Sequence, residues 1–129
     1  MSNEVVIFKN GELELEVTVS ENRENVWLSQ DQMATLFDVD RSRVTRHIKN
    51  IYDDNELDEN STCAENALVQ TEGKRKVKRT IKIYNLDMIL AVGYRVKSPN
   101  GIIFRKWATS ILKDYMIKGY TINQKRLDA

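Results

Sequence analysis

With 129 residues, 41% of them apolar and including two Trp, three Phe and five Tyr, the chain can bury one core and leaves no room for a second domain of any size. A formal net charge of +1 excludes a polycation that coats nucleic acid by charge alone. A single cysteine, Cys63, excludes an intramolecular disulfide, and no apolar run is long enough for a signal peptide or a membrane span, which predicts a cytoplasmic protein.

The first elements are two β-rich runs, Glu4 to Lys9 and Leu13 to Val19, on either side of Asn10-Gly11. That dipeptide suits a tight type I′ hairpin, in which both central residues need positive φ. A polar segment, Ser20 to Asn25, leads to a third short strand at Val26 to Leu28. The start is acidic, with Glu4, Glu12, Glu14, Glu16, Glu21 and Glu24.

The stretch from Val26 to Tyr52 then predicts two short helices joined by a three-residue turn. Ser29 can cap the first helix, with Gln32 three positions later closing a capping box, and Met33, Ala34 and Phe37 form its buried face. Asp38-Val39-Asp40 breaks the helix and restarts it, with Asp40 as N-cap. Val44, Ile48, Ile51 and Tyr52 recur at helical spacing on the second helix, so Arg41, Ser42, Thr45, Arg46 and Lys49 lie on the other side. A short, polar, cationic helix face behind a helical turn is the pattern of a DNA-reading helix-turn-helix. His47 falls at the edge of the buried face, where a lone histidine is more often a packed or rim residue than a base reader.

An acidic linker follows, carrying Asp53, Asp54, Glu56, Asp58, Glu59 and Glu65. Ala67 to Thr71 and Lys76 to Tyr84 read as two strands joined by Glu72-Gly73-Lys74-Arg75. The hairpin tip is strongly basic: Lys74, Arg75, Lys76, Lys78, Arg79 and Lys82 fall within nine residues with no acid between them. Charged tips are usually only solvated, but this run is self-repelling, and a cationic hairpin after a helix-turn-helix is the arrangement called a wing, which touches phosphates beside the groove. Asn85 can cap a helix from Leu86 to about Arg95, with Leu86, Ile89, Leu90 and Gly93 or Tyr94 on one face, before Ser98-Pro99-Asn100-Gly101 forces a turn. A longer amphipathic helix runs from about Ile102 to Lys118, with Gly119 as its C′ residue. Its stripe is Phe104, Trp107, Ala108, Ile111, Leu112, Tyr115 and Met116, with Arg105, Lys106, Lys113 and Lys118 outside. The stripe reads as core, since each large side chain buried contributes about 1.5–3 kcal/mol.

The expected fold is therefore α+β: a single winged helix-turn-helix domain over 1–129, with an amino-terminal β-hairpin and a carboxy-terminal amphipathic helix. The runs VWLSQDQMATLFDVDRSRVTRHIKNIY, IYNLDMILAVGYRVKS and RKWATSILKDYMIKGYTINQKRL together resemble the RhuM virulence-associated family. The resemblance implies a bacterial protein similar to the DNA-binding domains that accompany some Fic-type and phage antirepressor proteins, and implies that the chain is the amino-terminal part of a longer one.

The function expected from these residues is sequence-specific binding of double-stranded DNA. Arg41, Ser42, Thr45 and Arg46 are the expected base readers, and Arg43, Lys49, Lys74, Arg75, Lys76 and Lys78 the expected phosphate contacts. The long helix, or residues beyond Ala129, would serve a homodimer on paired half-sites. The acidic linker is expected to face away from the duplex. The competing class is a winged-helix protein-docking module, which the exposed face of the second helix disfavours because it offers no apolar or aromatic hot spot. An enzyme is disfavoured too: there is no phosphate-binding Gly-rich loop, no metal-ligand spacing, and no base beside Cys63, the only histidine being His47. No metal, cofactor, membrane or small-molecule substrate is expected.

Overall fold

The computed structural model describes residues 4–20 and 24–128, with side chains other than those of 68–71 and 114–128. Strands β1 (Glu4–Asn10), β2 (Leu13–Val19) and β3 (Val26–Ser29) precede helices α1 (Gln30–Phe37), α2 (Arg41–Asp53) and α3 (Glu59–Thr62). Then come β4 (Cys63–Glu72), β5 (Arg75–Asn85), α4 (Leu86–Arg95) and α5 (Pro99–Asp128). The strands form one antiparallel sheet in the order β1-β2-β3-β5-β4. The fold is α+β, with a five-stranded sheet and five helices among the described residues.

The helices cover one face of the sheet. Alternation in β2 buries Leu15, Val17 and Val19 and exposes Glu14 and Glu16, the period of a strand packed on one side only. Phe8 of β1 reaches the far end of the core, where its ring meets Phe104 edge-on at 5.3 Å and Trp107 at 5.2 Å. Met33, Leu36 and Phe37 of α1, Val44, Ile48 and Ile51 of α2, and Met88, Ile89 and Val92 of α4 complete it. On α1 the expected Ala34 is only half-buried, and Leu36 takes the inner position.

Several elements differ from the sequence expectation. The first hairpin turns one residue later than Asn10-Gly11: Asn10 pairs with Leu13, and the two turn residues are Gly11 and Glu12. Of those two only Gly11 has positive φ, 63°, the II′ pattern with its glycine in first place instead of the I′ pattern. The acidic linker contains α3, whose N-cap Asp58 accepts from the Ser61 N–H at 3.1 Å. On α4 the inner stripe is Met88, Ile89, Val92 and Gly93, and Tyr94 is 86% exposed.

Pro99-Asn100-Gly101 form the first turn of α5, not a loop before it. Lys97 takes a left-handed φ of 56°, the Ser98 hydroxyl accepts from the Asn100 N–H at 3.2 Å, and Pro99 occupies the first helical position, where its missing N–H costs nothing. At the other end α5 continues through Gly119 to Asp128, so Gly119 does not terminate it. Phe104 and Ala108 of its stripe are buried, and Trp107, Ile111 and Leu112 half-buried. The side chains of Tyr115, Met116 and Lys118, and the whole of Glu21, lie outside the described residues.

Candidate nucleic-acid interface

The pair α1 and α2 is set by local sequence at both ends. The Ser29 hydroxyl accepts from the Gln32 N–H at 3.2 Å while the Gln32 side chain accepts from the Ser29 N–H at 2.9 Å, the reciprocal bonds of a capping box. Asp38 ends α1 in the left-handed region, φ 55°. Asp40 has the extended backbone of an N-cap and its carbonyl accepts from the Arg43 and Val44 N–H groups. Its carboxylate makes no capping bond, so here the residue acts by conformation alone.

Val44, Ile48 and Ile51 bury one side of α2 and leave Arg41, Ser42, Arg43, Thr45, Arg46 and Lys49 exposed on the other. At 1.5 Å per residue, that exposed surface spans about the first two thirds of the helix. Several members are already engaged. Arg41 Nε lies 3.5 Å from the Asp31 carboxylate, both side chains being mostly exposed. Thr45 Oγ1 donates to Gln30 Oε1 and lies 3.0 Å from the Arg41 carbonyl. Gln30 Nε2 in turn donates to the Tyr84 hydroxyl at 3.1 Å. Lys49 pairs with Asp53 one turn on, at 3.0 Å, so a phosphate contact from Lys49 competes with a carboxylate.

His47 sits behind this surface, half-buried, with both ring nitrogens out of contact with water and without a hydrogen-bond partner among the described residues. Burial, then the positive charges of Arg46, Arg43 and Arg95, push its pKa below the usual histidine value. It is therefore neutral at physiological pH.

The acidic linker is tied down at the opposite end of α2. Arg95 of α4 bridges the Asp54 carboxylate at 3.2 Å and that of Glu56 at 3.0 Å. Those carboxylates lie at and beyond the C-terminus of α2, roughly 20 Å along its axis from Arg41 at the helical rise.

The β4–β5 hairpin turns through Gly73-Lys74, with Gly73 at φ 62° and Glu72 paired with Arg75. It is longer than expected, ten and eleven residues instead of five and nine. Only Ile83, Tyr84 and Asn85 of β5 are buried; Arg75 to Lys82 are exposed except Val77 and Ile81, which are half-buried. Lys74, Arg75, Lys76 and Lys78 are exposed and make no ion pair with a described residue. The cationic run is less uniform than its sequence, because Glu72 reaches across the hairpin to pair with Arg79.

Between α1, the start of α2 and the sheet lies a cleft of about 540 Å³, which Glu16 and Thr18 of β2 also line. Arg41, Gln30 and Asp31 form its helical wall, and Thr80, Lys82 and Asn66 its hairpin wall. The first residue of α2 and the base of the cationic hairpin thus border one concave surface. Gln30, Asp31 and Asn66 were not among the residues expected to shape this surface. Gln30 and Asp31 could have been found from the motif itself, since the turn places the first turn of α1 near that of α2; Asn66 is brought there only by sheet pairing, as is the buried Tyr84 to which Gln30 donates.

Cys63 is half-buried, and burial pushes its thiol pKa up, which disfavours the reactive thiolate. Among the described residues there is no cluster of His, Cys, Asp and Glu suited to a metal ion, and no helix is long and apolar enough to cross a membrane.

These features define an α+β domain that presents a cationic helix face beside a cationic β-hairpin. The family model of the virulence protein RhuM family matches residues 61–129, just over half of the chain, and the chain belongs to this family. The matched segment starts at the end of α3 and covers the hairpin, α4 and α5, leaving α1 and α2 outside it. No curated protein and no solved structure matches the chain.

Proposed function

We propose that this RhuM-family chain is a sequence-reading, double-stranded-DNA-binding domain of the winged helix-turn-helix type, with α1 and α2 as the helix pair and β4–β5 as the wing. The observation that carries the reading is the shared cleft: Arg41, at the start of α2, and Lys82, at the base of the hairpin, line the same concave surface. A helix that offers Arg41, Ser42, Thr45 and Arg46 and no exposed apolar residue along that side suits a major groove better than a protein partner. Arg41 or Arg46, bidentate on guanine O6 and N7, would supply about 1–3 kcal/mol of discrimination. Arg43, Lys49, Lys74, Arg75, Lys76 and Lys78 would hold phosphates, giving affinity without sequence information. The acidic groups held by Arg95 stay at the far end of α2. The role is one of binding, without catalysis or cofactor, in a bacterial regulatory or mobile-element setting inside the cell.

A second reading, protein docking, is favoured by a different surface: at the α4–α5 junction Tyr94 is 86% and Ile102 57% exposed beside a groove lined by Leu90, Pro99 and Gly101. On the DNA reading the occupant of that groove is a second copy of the chain, since paired half-sites are how such domains gain specificity.

Fluorescence anisotropy with a random-sequence duplex across a salt series tests the main reading. Binding should weaken with a log–log slope of about −0.9 per phosphate neutralised. The double variant Lys74→Ala, Lys76→Ala should flatten that slope, and Arg41→Ala, Arg46→Ala should remove preference for a selected site. A folded chain that binds no duplex at low salt refutes the reading and leaves protein docking in front.

A further inference from the structure

The reading end of α2 is held from behind by residues of α1. Gln30 and Asp31, the first two residues of that helix, each engage one expected base reader: Gln30 takes the Thr45 hydroxyl and Asp31 takes the Arg41 guanidinium. Gln30 is itself fixed, because its amide nitrogen donates to the hydroxyl of Tyr84, which is 3% exposed and belongs to the central part of the sheet. Burial pushes the Tyr84 pKa up, so the anchor stays a neutral hydroxyl at any pH at which the protein would bind DNA.

The consequence for Thr45 is chemical. A threonine hydroxyl has one proton to donate and lone pairs to accept with. Both acceptors within reach of that proton, Gln30 Oε1 and the Arg41 carbonyl, belong to the protein. The proton is therefore directed inward and the lone pairs are left for a partner in the groove. In the major groove the groups that donate to such an oxygen are the exocyclic amines, N6 of adenine and N4 of cytosine; thymine O4 and guanine O6 and N7 cannot.

We propose that Gln30 is a positioning residue that sets Thr45 as an acceptor, so that Thr45 selects a base carrying an exocyclic amine, and that Asp31 positions Arg41 in the same way. This rests on the DNA-binding reading above. Asp31 also has a cost that makes its role visible: a carboxylate beside Arg41 repels phosphate, so it trades general affinity for orientation.

The test is site selection from a random duplex library with the full chain and single variants, alongside affinity for a random duplex and thermal melting. Thr45→Val identifies the base pair that Thr45 reads, as the one whose preference disappears. At that pair the unaltered chain should select adenine or cytosine on the strand facing Thr45. Gln30→Ala should relax the preference there about fivefold to tenfold, within the range of a single base contact, with its melting temperature close to that of the unaltered chain. Gln30→Glu, which can still accept from Thr45 and from Tyr84, should restore the preference. Asp31→Ala should strengthen binding to random duplex while weakening the preference at a second base pair, the one whose preference disappears in Arg41→Ala.

Selection of thymine or guanine by Thr45, or unchanged profiles in Gln30→Ala and Asp31→Ala, overturns the proposal while leaving DNA binding intact. If the unaltered chain selects no site from the library, the DNA-reading assignment and this one fall together.

Discussion

Hairpins β1–β2 and β4–β5 turn through the same device, two residues with a glycine at positive φ in first place, Gly11 at 63° and Gly73 at 62°. They differ in everything beyond the turn. The first buries Phe8, Leu15, Val17 and Val19 and carries acids on its open face, with Glu14 paired to Lys9. Among its described side chains the second is buried only where β5 meets β3, at Ile83 to Asn85, and it projects its cations away from the core. Hydrophobic burial scales with the apolar area removed from water, so the first hairpin holds the molecule together and the second is available for a partner. Stability and binding should therefore separate between them.

Phe8→Ala should give the largest effect. It removes a fully buried ring in edge-on contact with Phe104 and Trp107, and such truncations cost about 3–5 kcal/mol. Urea denaturation should show stability falling by that amount, with loss of any DNA binding only through unfolding. Replacing Lys74 and Lys76 of the other hairpin by alanine should leave stability in urea within about 0.5 kcal/mol, as exposed substitutions do. It should lower the salt slope of DNA binding by about 1 for each phosphate that is no longer held. If the two variants moved the same observable, the division between the hairpins would be wrong.

The glycines sharpen the same contrast at smaller scale. A methyl group at Gly11 or Gly73 meets nothing within 4 Å, so the cost of alanine at either lies wholly in the positive φ, about 1–2 kcal/mol. Gly11→Ala should appear in full in equilibrium denaturation, because its hairpin is part of the cooperative core. Gly73→Ala should loosen the wing locally, seen as faster amide exchange in β4–β5 and a weaker grip on duplex, with little change in the global midpoint.

What could be read in the sequence was mainly what is local along the chain. Ser29 with Gln32, and Asn85, whose side chain accepts from the Met88 N–H, cap their helices because donor and acceptor are three residues apart. The exposed face of α2 follows from the 3.6-residue period of Val44, Ile48 and Ile51. The inner face of α4 was shifted by one residue for a reason in three dimensions. A side chain at Gly93 would lie 2.9 Å from the Phe37 ring and 3.5 Å from Gly101 Cα, so the helices approach at the glycines and Tyr94 is turned outward. Gly119 suggested a helix end because glycine costs about 1 kcal/mol inside a helix, yet α5 runs through it. The residues behind the readers were the least legible: Gln30 and Tyr84 are 54 positions apart and meet only because β3 pairs with β5.

His47 supplies the smallest effect and one that belongs to neither hairpin. Its pKa is lowered in the folded chain, first by burial and then by Arg46, Arg43 and Arg95, whereas in the unfolded chain it returns to about 6.5. Below pH 6.5 the unfolded chain thus binds the proton before the folded one does, and stability falls with decreasing pH until the folded value is passed. Above 6.5 this contribution is fully present and flat. Stability measured by urea from pH 8 to pH 5 should decline across the lower half of that range, and His47→Gln should flatten the decline. The same proton would add a positive charge beside Arg43 and Arg46, so any acid-induced gain in affinity for random duplex should also vanish in that variant. A decline of equal slope in both proteins would place the titrating group elsewhere.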